Sequence, residues 1–158
     1  MGQRYSDLAI EVYEGLAQLP YFNPDIETPR SVVDFINKIE QADAVLICTP
    51  EYVFSLPGVL KNALEWTVAT TVFLNKPIAT IIAAASGQHA HESLSLIMHT
   101  FGAIFNEQAT LVIRGAKSKL SPQGDVIDEQ TLNNVDRLMK SLRIATNRSG
   151  ATTNSQTL

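Results

Sequence analysis

The stretch Ala44-Val45-Leu46-Ile47-Cys48-Thr49 decides the fold class. It is apolar on both faces, which is typical of a central strand buried in a parallel sheet. A second stretch of the same kind, residues 78–85, follows the turn Asn75-Lys76-Pro77. Before, between and after these stretches, apolar residues recur at helical spacing. Strands that alternate with helices predict an α/β domain with a parallel sheet.

The rest of the sequence continues this alternation. The other predicted elements are a strand over 8–13, a helix after Pro29, helices over 57–72 and 94–105, a strand over 109–113 and a helix over 132–142. A length of 158 residues fits one domain. From Thr146 onward the composition is polar and small. We therefore expect one domain over residues 1–145 and a disordered tail over 146–158.

Composition excludes several classes of protein. Twelve basic residues against sixteen acidic ones give a net charge of −4, which argues against a nucleic-acid binder. The single cysteine, Cys48, excludes a disulfide framework, and its apolar surroundings predict a buried, inert thiol. Neither a membrane span nor a signal peptide is apparent, which predicts a cytoplasmic protein without membrane contact.

Two loops are candidates for a binding site, because ligands of such sheets lie beyond the carboxyl ends of the strands. The loop over residues 50–55 carries two aromatic rings, a carboxylate and a hydroxyl between stiffening prolines. A ligand site and a simple cap on the core are equally compatible with it. The loop over 86–91 begins Ser86-Gly87, where a backbone without Cβ can approach a ligand or merely turn. The helix that follows favours anions or electron-rich ring edges.

Other kinds of site find little support. His89, His91 and His99 do not match a zinc pattern, and neither cysteines nor paired carboxylates accompany them, so no metal site is predicted. No Gly-x-Ser-x-Gly elbow follows a strand, which argues against a hydrolase triad.

The run from Pro50 to Trp66, PEYVFSLPGVLKNALEW, resembles the signature of the NAD(P)H-dependent FMN reductase family. That family includes chromate and quinone reductases, and its pattern is approximately Pro-Glu-Tyr-Asn-x-Ser-x-Pro-Gly-x-Leu-Lys-Asn-Ala-x-Asp/Glu-Trp. The segment 19–25 and Ser86-Gly87 are also similar, so that the resemblance extends over about residues 7–144. It implies a flavodoxin-like three-layer sandwich that uses FMN as cofactor and NAD(P)H as co-substrate.

The resemblance also implies which residues contact the flavin. The expected residues are Pro50, Glu51, Tyr52, Val53, Ser55, Ser86, Gly87 and Gln88. Lys61, Asn62 and Trp66 are expected to serve packing or an interface. Val53 stands where the family usually has Asn, and His89-Ala90-His91 where many members carry a glycine pair. Because the flavin carries the hydride chemistry, no catalytic side chain is expected.

The sequence departs from the family pattern at its beginning. The family opens with a strand, a Gly-Ser-x-Arg-x-x-Ser-x-Asn loop around the FMN phosphate, and a helix. None of these has a counterpart before Leu8, so we expect either an N-terminally shortened domain that lacks the first strand and helix, or remaining strands that pair differently. In the order 2-1-3-4-5 that strand lies centrally, between the strands at Leu8 and Ala44. Weak FMN binding and marginal stability are the expected consequences.

The expected activity is FMN-dependent oxidoreduction. Hydride from NAD(P)H would pass through the flavin to a quinone, a metal oxyanion or free flavin. A flavodoxin-like electron carrier and a shortened, non-catalytic homologue are the alternatives. The low charged fraction of 18% and the aromatic residues Phe54, Trp66 and Phe73 favour a homodimer or tetramer. Its contact is expected to include the helix over 57–72 and Phe54.

Overall fold

The sheet consists of three parallel strands in the computed structural model, which describes residues 5, 7–105 and 107–153. These are β1 (Val45–Thr49), β2 (Ile78–Ala84) and β3 (Thr110–Arg114). Their order is β1-β2-β3, with Val45 opposite Ile78 and Thr80 opposite Thr110. Because all three strands run in the same direction, their carboxyl ends form one edge of the sheet.

Helices cover both faces of this sheet. They are α1 (Arg30–Gln41), α2 (Gly58–Glu65), α3 (Gln88–Thr100) and α4 (Glu129–Thr153). The first three pack on one face, where Val32, Leu60 and Leu94 share a core with Ile78 and Ile82. On the other face, α4 packs Leu138 and Met139 against Ala79 and Ile81. The predicted three-layer, flavodoxin-like arrangement is confirmed.

The predicted strand over residues 8–13 is wrong. The segment forms no regular structure before a 3-10 turn at Gly15–Gln18. A strand needs a hydrogen-bonded neighbour, and the described residues place none between this segment and the edge of β1. Two of its side chains still pack against the domain: Leu8 packs with the α4 core, and the Tyr13 ring lies 5.1 Å from that of Phe35.

Two helices end earlier than their apolar spacing predicts. Helix α2 ends at Glu65 instead of 72, and the hydroxyls of Thr67 and Thr70 then bond to carbonyls three residues back. Helix α3 ends at Thr100, and Gly102 follows with a left-handed φ of 71°. The apolar residues beyond each end are therefore in turns, where periodicity no longer indicates a helix.

Helix α4 continues further than composition predicts. Residues 146–153 are helical instead of disordered, because each added residue contributes a backbone hydrogen bond once a helix has formed. The Thr146 hydroxyl also donates to the Arg143 carbonyl. Residues 154–158 of the expected tail lie outside the described residues, and the domain boundary at residue 145 remains a prediction.

The prediction that Cys48 is buried is wrong. Ile47 and Thr49 are buried, whereas Cys48 points to the opposite face of β1 and is exposed. Helix α4 covers the middle of that face, over Ala79 and Ile81, and leaves this end of β1 open. Neighbouring atoms still remove enough water to raise the pKa of the Cys48 thiol, which favours the protonated, less reactive form.

Candidate functional site

The loops after β1 and β2 are joined by one carboxylate. The backbone N–H of Gly87 donates to Oε1 of Glu51 at 3.2 Å. The N–H groups of His89 and Ala90 donate to Oε2 at 2.9 and 3.0 Å. Glu51 thus caps the first turn of α3 from a different loop, and the two predicted loops meet at the carboxyl edge of the sheet.

These hydrogen bonds also determine the electrostatics of Glu51. Backbone donation, first from Ala90, holds the pKa of Glu51 below its ordinary value. The carboxylate therefore stays ionised at neutral pH beside the positive end of the α3 dipole. The sequence predicts that this helix end favours an anion or an electron-rich ring edge. In the structure the protein's own carboxylate occupies it.

Gly87 is required for the second loop to lie where it does. Its φ of 85° is in the left-handed region that favours glycine. A Cβ at this position would lie 2.8 Å from Cγ1 of Val112 and 3.0 Å from Cγ2 of Ile82, both of which are in the sheet. The loop backbone therefore rests directly on β2 and β3, which only glycine permits.

The first loop contains a tight, strained turn. Tyr52 and Ser55 exchange backbone hydrogen bonds of 3.0 and 2.9 Å. Between them, Val53 and Phe54 have φ values of 51° and 55°. Two consecutive positive φ angles correspond to a type I′ turn, which favours Asn-Gly and is costly for a β-branched residue. Both side chains are displayed to solvent, with Val53 94% and Phe54 74% exposed.

The turn contacts the second loop through an aromatic pair. The rings of Phe54 and His89 meet edge to face, with their centroids 5.5 Å apart. Both rings are exposed. Together with the exposed Tyr52 ring they give the junction of the two loops an aromatic surface. The contribution of His89 was not predicted from the sequence. Its position at the beginning of α3, opposite an aromatic loop, is the signal that could have indicated it.

Asn62 and Trp66 have the structural role that the resemblance implies. The Asn62 side chain accepts a hydrogen bond from the N–H of Phe22 at 2.7 Å and donates to the Pro20 carbonyl at 3.0 Å. Trp66 donates to the same carbonyl at 2.8 Å and packs edge to face on Phe22. Lys61 pairs with Glu65 on the exposed side of α2. These residues anchor the segment that precedes α1.

The predicted flavin residues can now be placed. The residues that the structure brings together at the loop junction are Pro50, Glu51, Tyr52, Val53, Ser55, Ser86, Gly87 and Gln88. The backbone of Ser55 closes the strained turn, and the Glu51 carboxylate is fully used in capping α3. Their contact with a flavin remains a prediction.

The junction suits the edge of a planar heteroaromatic ring. In the described ranges, the N–H groups of Val53, Ser86 and Gln88 have no hydrogen-bond partner within the protein. Such N–H groups can meet ring carbonyls and ring nitrogens edge-on, beside the exposed aromatic side chains. The isoalloxazine ring of FMN fits this donor set.

A separate cavity of about 420 Å³ lies between the beginning of the chain and α4. Polar and charged groups that line it already pair with one another: the Tyr5 hydroxyl with Asp136 and Arg143 with Asp7, each at 2.6 Å. It lies on the α4 face, away from the loops.

Among the described residues no group of three or more His, Cys, Asp or Glu side chains is arranged to hold a metal ion. No helix in the described ranges is long and apolar enough to cross a bilayer.

Comparison with known proteins gives consistent matches. A family profile described as NADPH-dependent FMN reductase matches residues 3–117. The NADH-dependent flavin reductase subunit 2 of Lactobacillus johnsonii is 33% identical over 153 positions, which cover 86% of this chain and 80% of that protein. A quinone reductase of Escherichia coli is 27% identical, with coverage of 82% and 74%.

A solved structure agrees with the fold. The flavoenzyme NAD(P)H:(acceptor) oxidoreductase FerB of Paracoccus denitrificans superposes with a TM-score of 0.68 and 27% identity. The match covers 84% of this chain and 75% of that one.

Proposed function

The chain belongs to the NADPH-dependent FMN reductase family, and on that basis we propose that it is an FMN-containing oxidoreductase that uses NAD(P)H. The observation that carries the proposal is the Glu51 carboxylate, which fixes the two ligand-facing loops together at the carboxyl edge of the sheet. That edge is where doubly wound sheets bind their ligands.

The protein's contribution is to position the reactants. Bound FMN supplies the hydride-transfer chemistry, so the chain needs no acid or base side chain of its own. Glu51 holds the loops in one arrangement, and Gly87 keeps the second loop close to the sheet. The free N–H groups of Val53, Ser86 and Gln88 orient the ring edge, while Tyr52 and Phe54 limit the access of water.

We propose that the electron acceptor is a small molecule: a quinone, a metal oxyanion or free flavin. The names of the matched relatives include a flavin reductase and a quinone reductase. The aromatic surface formed by Phe54 and His89 is suited to a planar acceptor.

We also propose a homodimer or tetramer in the cytoplasm. Trp66 and Phe73, whose rings the sequence predicts to be exposed aromatic surface that favours an assembly, are only 6% and 4% exposed and belong to the core. That part of the expectation is wrong, because both rings belong to the buried core that also contains residues of α2 and α3. Support comes instead from the exposed apolar side chains of Phe54, Val59 and Val68, which lie within the stretch that was expected at the contact. Light scattering at micromolar concentration measures the assembly directly, and a monomeric mass would contradict it.

Steady oxidation of NADPH or NADH tests the activity. With FMN and a quinone supplied, we expect turnover that requires the reduced dinucleotide, FMN and the quinone. Protein that binds FMN without oxidising either dinucleotide would indicate an electron carrier, and protein that binds no FMN would indicate a non-catalytic homologue. Titrating FMN by fluorescence also tests the expectation of weak binding.

A pair of glycine variants relates the activity to this site. Gly87→Ala should weaken FMN binding by about tenfold or more, because the added Cβ displaces the loop from the sheet. Gly124→Ala is the matched control, since Gly124 also has a positive φ, of 88°, but has open space around it. Equal effects of the two substitutions would argue against the 86–88 loop as part of the site.

A further inference from the structure

Beyond the flavin loops, Arg114 also lies at the carboxyl edge of the sheet. It is the last residue of β3 and lies opposite Ala84, the last residue of β2. The N–H of Gly115 then donates to the Ala84 carbonyl at 2.9 Å. Since Ser86 follows Ala84 by two residues, Arg114 borders the second flavin loop.

The alternation along β3 determines the face on which Arg114 lies. Leu111 and Ile113 pack with the α4 core, whereas Val112 packs with the opposite core, under α3. Arg114 has the same parity as Val112 and therefore lies on the α3 face. Cγ1 of Val112 is 2.8 Å from the position that a Cβ on Gly87 would take. Arg114 is thus the next residue on this face of β3 after Val112, on which the flavin loop rests.

The charge of Arg114 is available to a ligand. The segment 114–119 carries Arg114, Lys117 and Lys119 and has no acidic residue. Lys119 is 3.7 Å from the carboxylate of Asp128. Arg114 and Lys117 are exposed and, within the described part of the chain, form no ion pair. Two cations of this segment therefore remain uncompensated in a protein whose net charge is −4, and Arg114 is the one that borders the second loop.

Few backbone N–H groups at this edge are left for a phosphate, because those of Val53, Ser86 and Gln88 are already proposed to face the ring edge. A helix N-terminus is the usual backbone site for phosphate, but three N–H groups of the α3 terminus donate to Glu51. Glu92, on the first turns of α3, adds an exposed carboxylate that repels anions. Side-chain cations are therefore the partners that this edge still offers to a phosphate.

We propose that Arg114, together with Lys117, binds a phosphate group of the nucleotide that occupies this site. The inference rests on the proposed function, which brings NADPH, NADH and FMN to the loops. All three carry phosphate, and guanidinium is the side chain best matched to its geometry. Arg114 is thereby a residue that determines nucleotide affinity, not one that takes part in hydride transfer.

Direct binding to the full chain tests this proposal. NADP⁺ and NAD⁺ are titrated calorimetrically, and FMN and riboflavin by fluorescence, into wild-type protein, Arg114→Gln and Arg114→Lys. Arg137→Gln is the matched control, because it removes the same charge from the exposed side of α4. We expect Arg114→Gln to weaken the binding of at least one phosphate-bearing nucleotide by about 10- to 100-fold. We expect Arg114→Lys to restore part of the affinity and Arg137→Gln to change little.

The ligands distinguish which phosphate is bound. If Arg114→Gln loses affinity for NADP⁺ alone, Arg114 binds the 2′-phosphate. If it loses affinity equally for NADP⁺ and NAD⁺, Arg114 binds the diphosphate. If it loses affinity for FMN but not for riboflavin, Arg114 binds the flavin phosphate. In wild-type protein the affected affinity should fall with added salt, and this dependence should weaken in Arg114→Gln.

Other outcomes overturn the proposal. Unchanged affinities in Arg114→Gln, or equal losses in Arg137→Gln, would make Arg114 an ordinary surface cation. If wild-type protein binds these nucleotides but does not oxidise NAD(P)H, the proposed function fails while the subsite is still decided by the affinities. If wild-type protein binds none of them, both proposals fail.

Discussion

The two halves of the run 50–66 behave in opposite ways. In the first half, Val53 and Phe54 adopt left-handed backbone angles and expose their side chains. In the second half, Asn62 and Trp66 direct their polar groups inward and anchor the segment at Pro20. One short stretch therefore combines a strained surface with a rigid support. Strain without burial is a feature of ligand sites, whereas satisfied, buried polar groups are a feature of the core.

The largest expected difference between the halves is in the free energy of unfolding. Trp66→Ala should cost about 3–5 kcal/mol, because it leaves a cavity next to Phe22 and removes the hydrogen bond to Pro20. Phe54→Ala, in the exposed half, should change stability by no more than about 0.5 kcal/mol. Urea unfolding measures both. Similar costs for the two would mean that the turn is part of the core.

A smaller effect is expected at Glu51, and it depends on pH. Since the pKa of Glu51 is lowered in the folded state, its stabilising contribution is present at neutral pH and is lost as pH falls through that lowered value. Glu51→Gln should therefore lower the melting temperature at pH 7. The difference in melting temperature between Glu51→Gln and wild-type protein should become smaller below about pH 4–5.

Glu65→Gln is the control for Glu51→Gln in the second half of the run. It removes only an exposed pair with Lys61, which is expected to contribute little. A gap between Glu51→Gln and wild-type protein that stays constant from pH 7 to pH 3 would contradict the capping role of the ionised carboxylate.

The smallest expected effect is a gain in stability. Val53→Asn should stabilise the protein by up to about 1 kcal/mol, because Asn tolerates the φ of 51° better than a β-branched residue. Val68→Asn is the matched control, since Val68 is also exposed but is not among the residues with positive φ. Thermal unfolding compares the two. Destabilisation by Val53→Asn would show that the Val53 side chain makes a contribution that outweighs the strain.

The elements that the sequence predicts correctly have patterns set by local geometry. Helix α1 buries Val32, Phe35 and Ile39, as their spacing predicts. Strands β1 and β2 follow from apolar runs that suit only a sheet covered on both faces. The wrong predictions concern residues whose structure depends on elements distant in sequence. Residues 8–13 have strand composition but, in the described part of the chain, no strand to pair with. Cys48 lies in an apolar run, but at an end of the sheet that no described helix covers.

The sequence alone determined the class of fold, the family and the two loops, because hydrophobic periodicity and a long motif are properties of neighbouring residues. Tertiary structure alone decided what the loops do to each other. The Glu51 carboxylate accepts hydrogen bonds from N–H groups 36 and 39 residues away. Arg114 lies beside the loop that begins at Ser86 because strand register pairs it with Ala84. Such contacts depend on the directions of separate strands and helix ends, which only packing around a common core can fix.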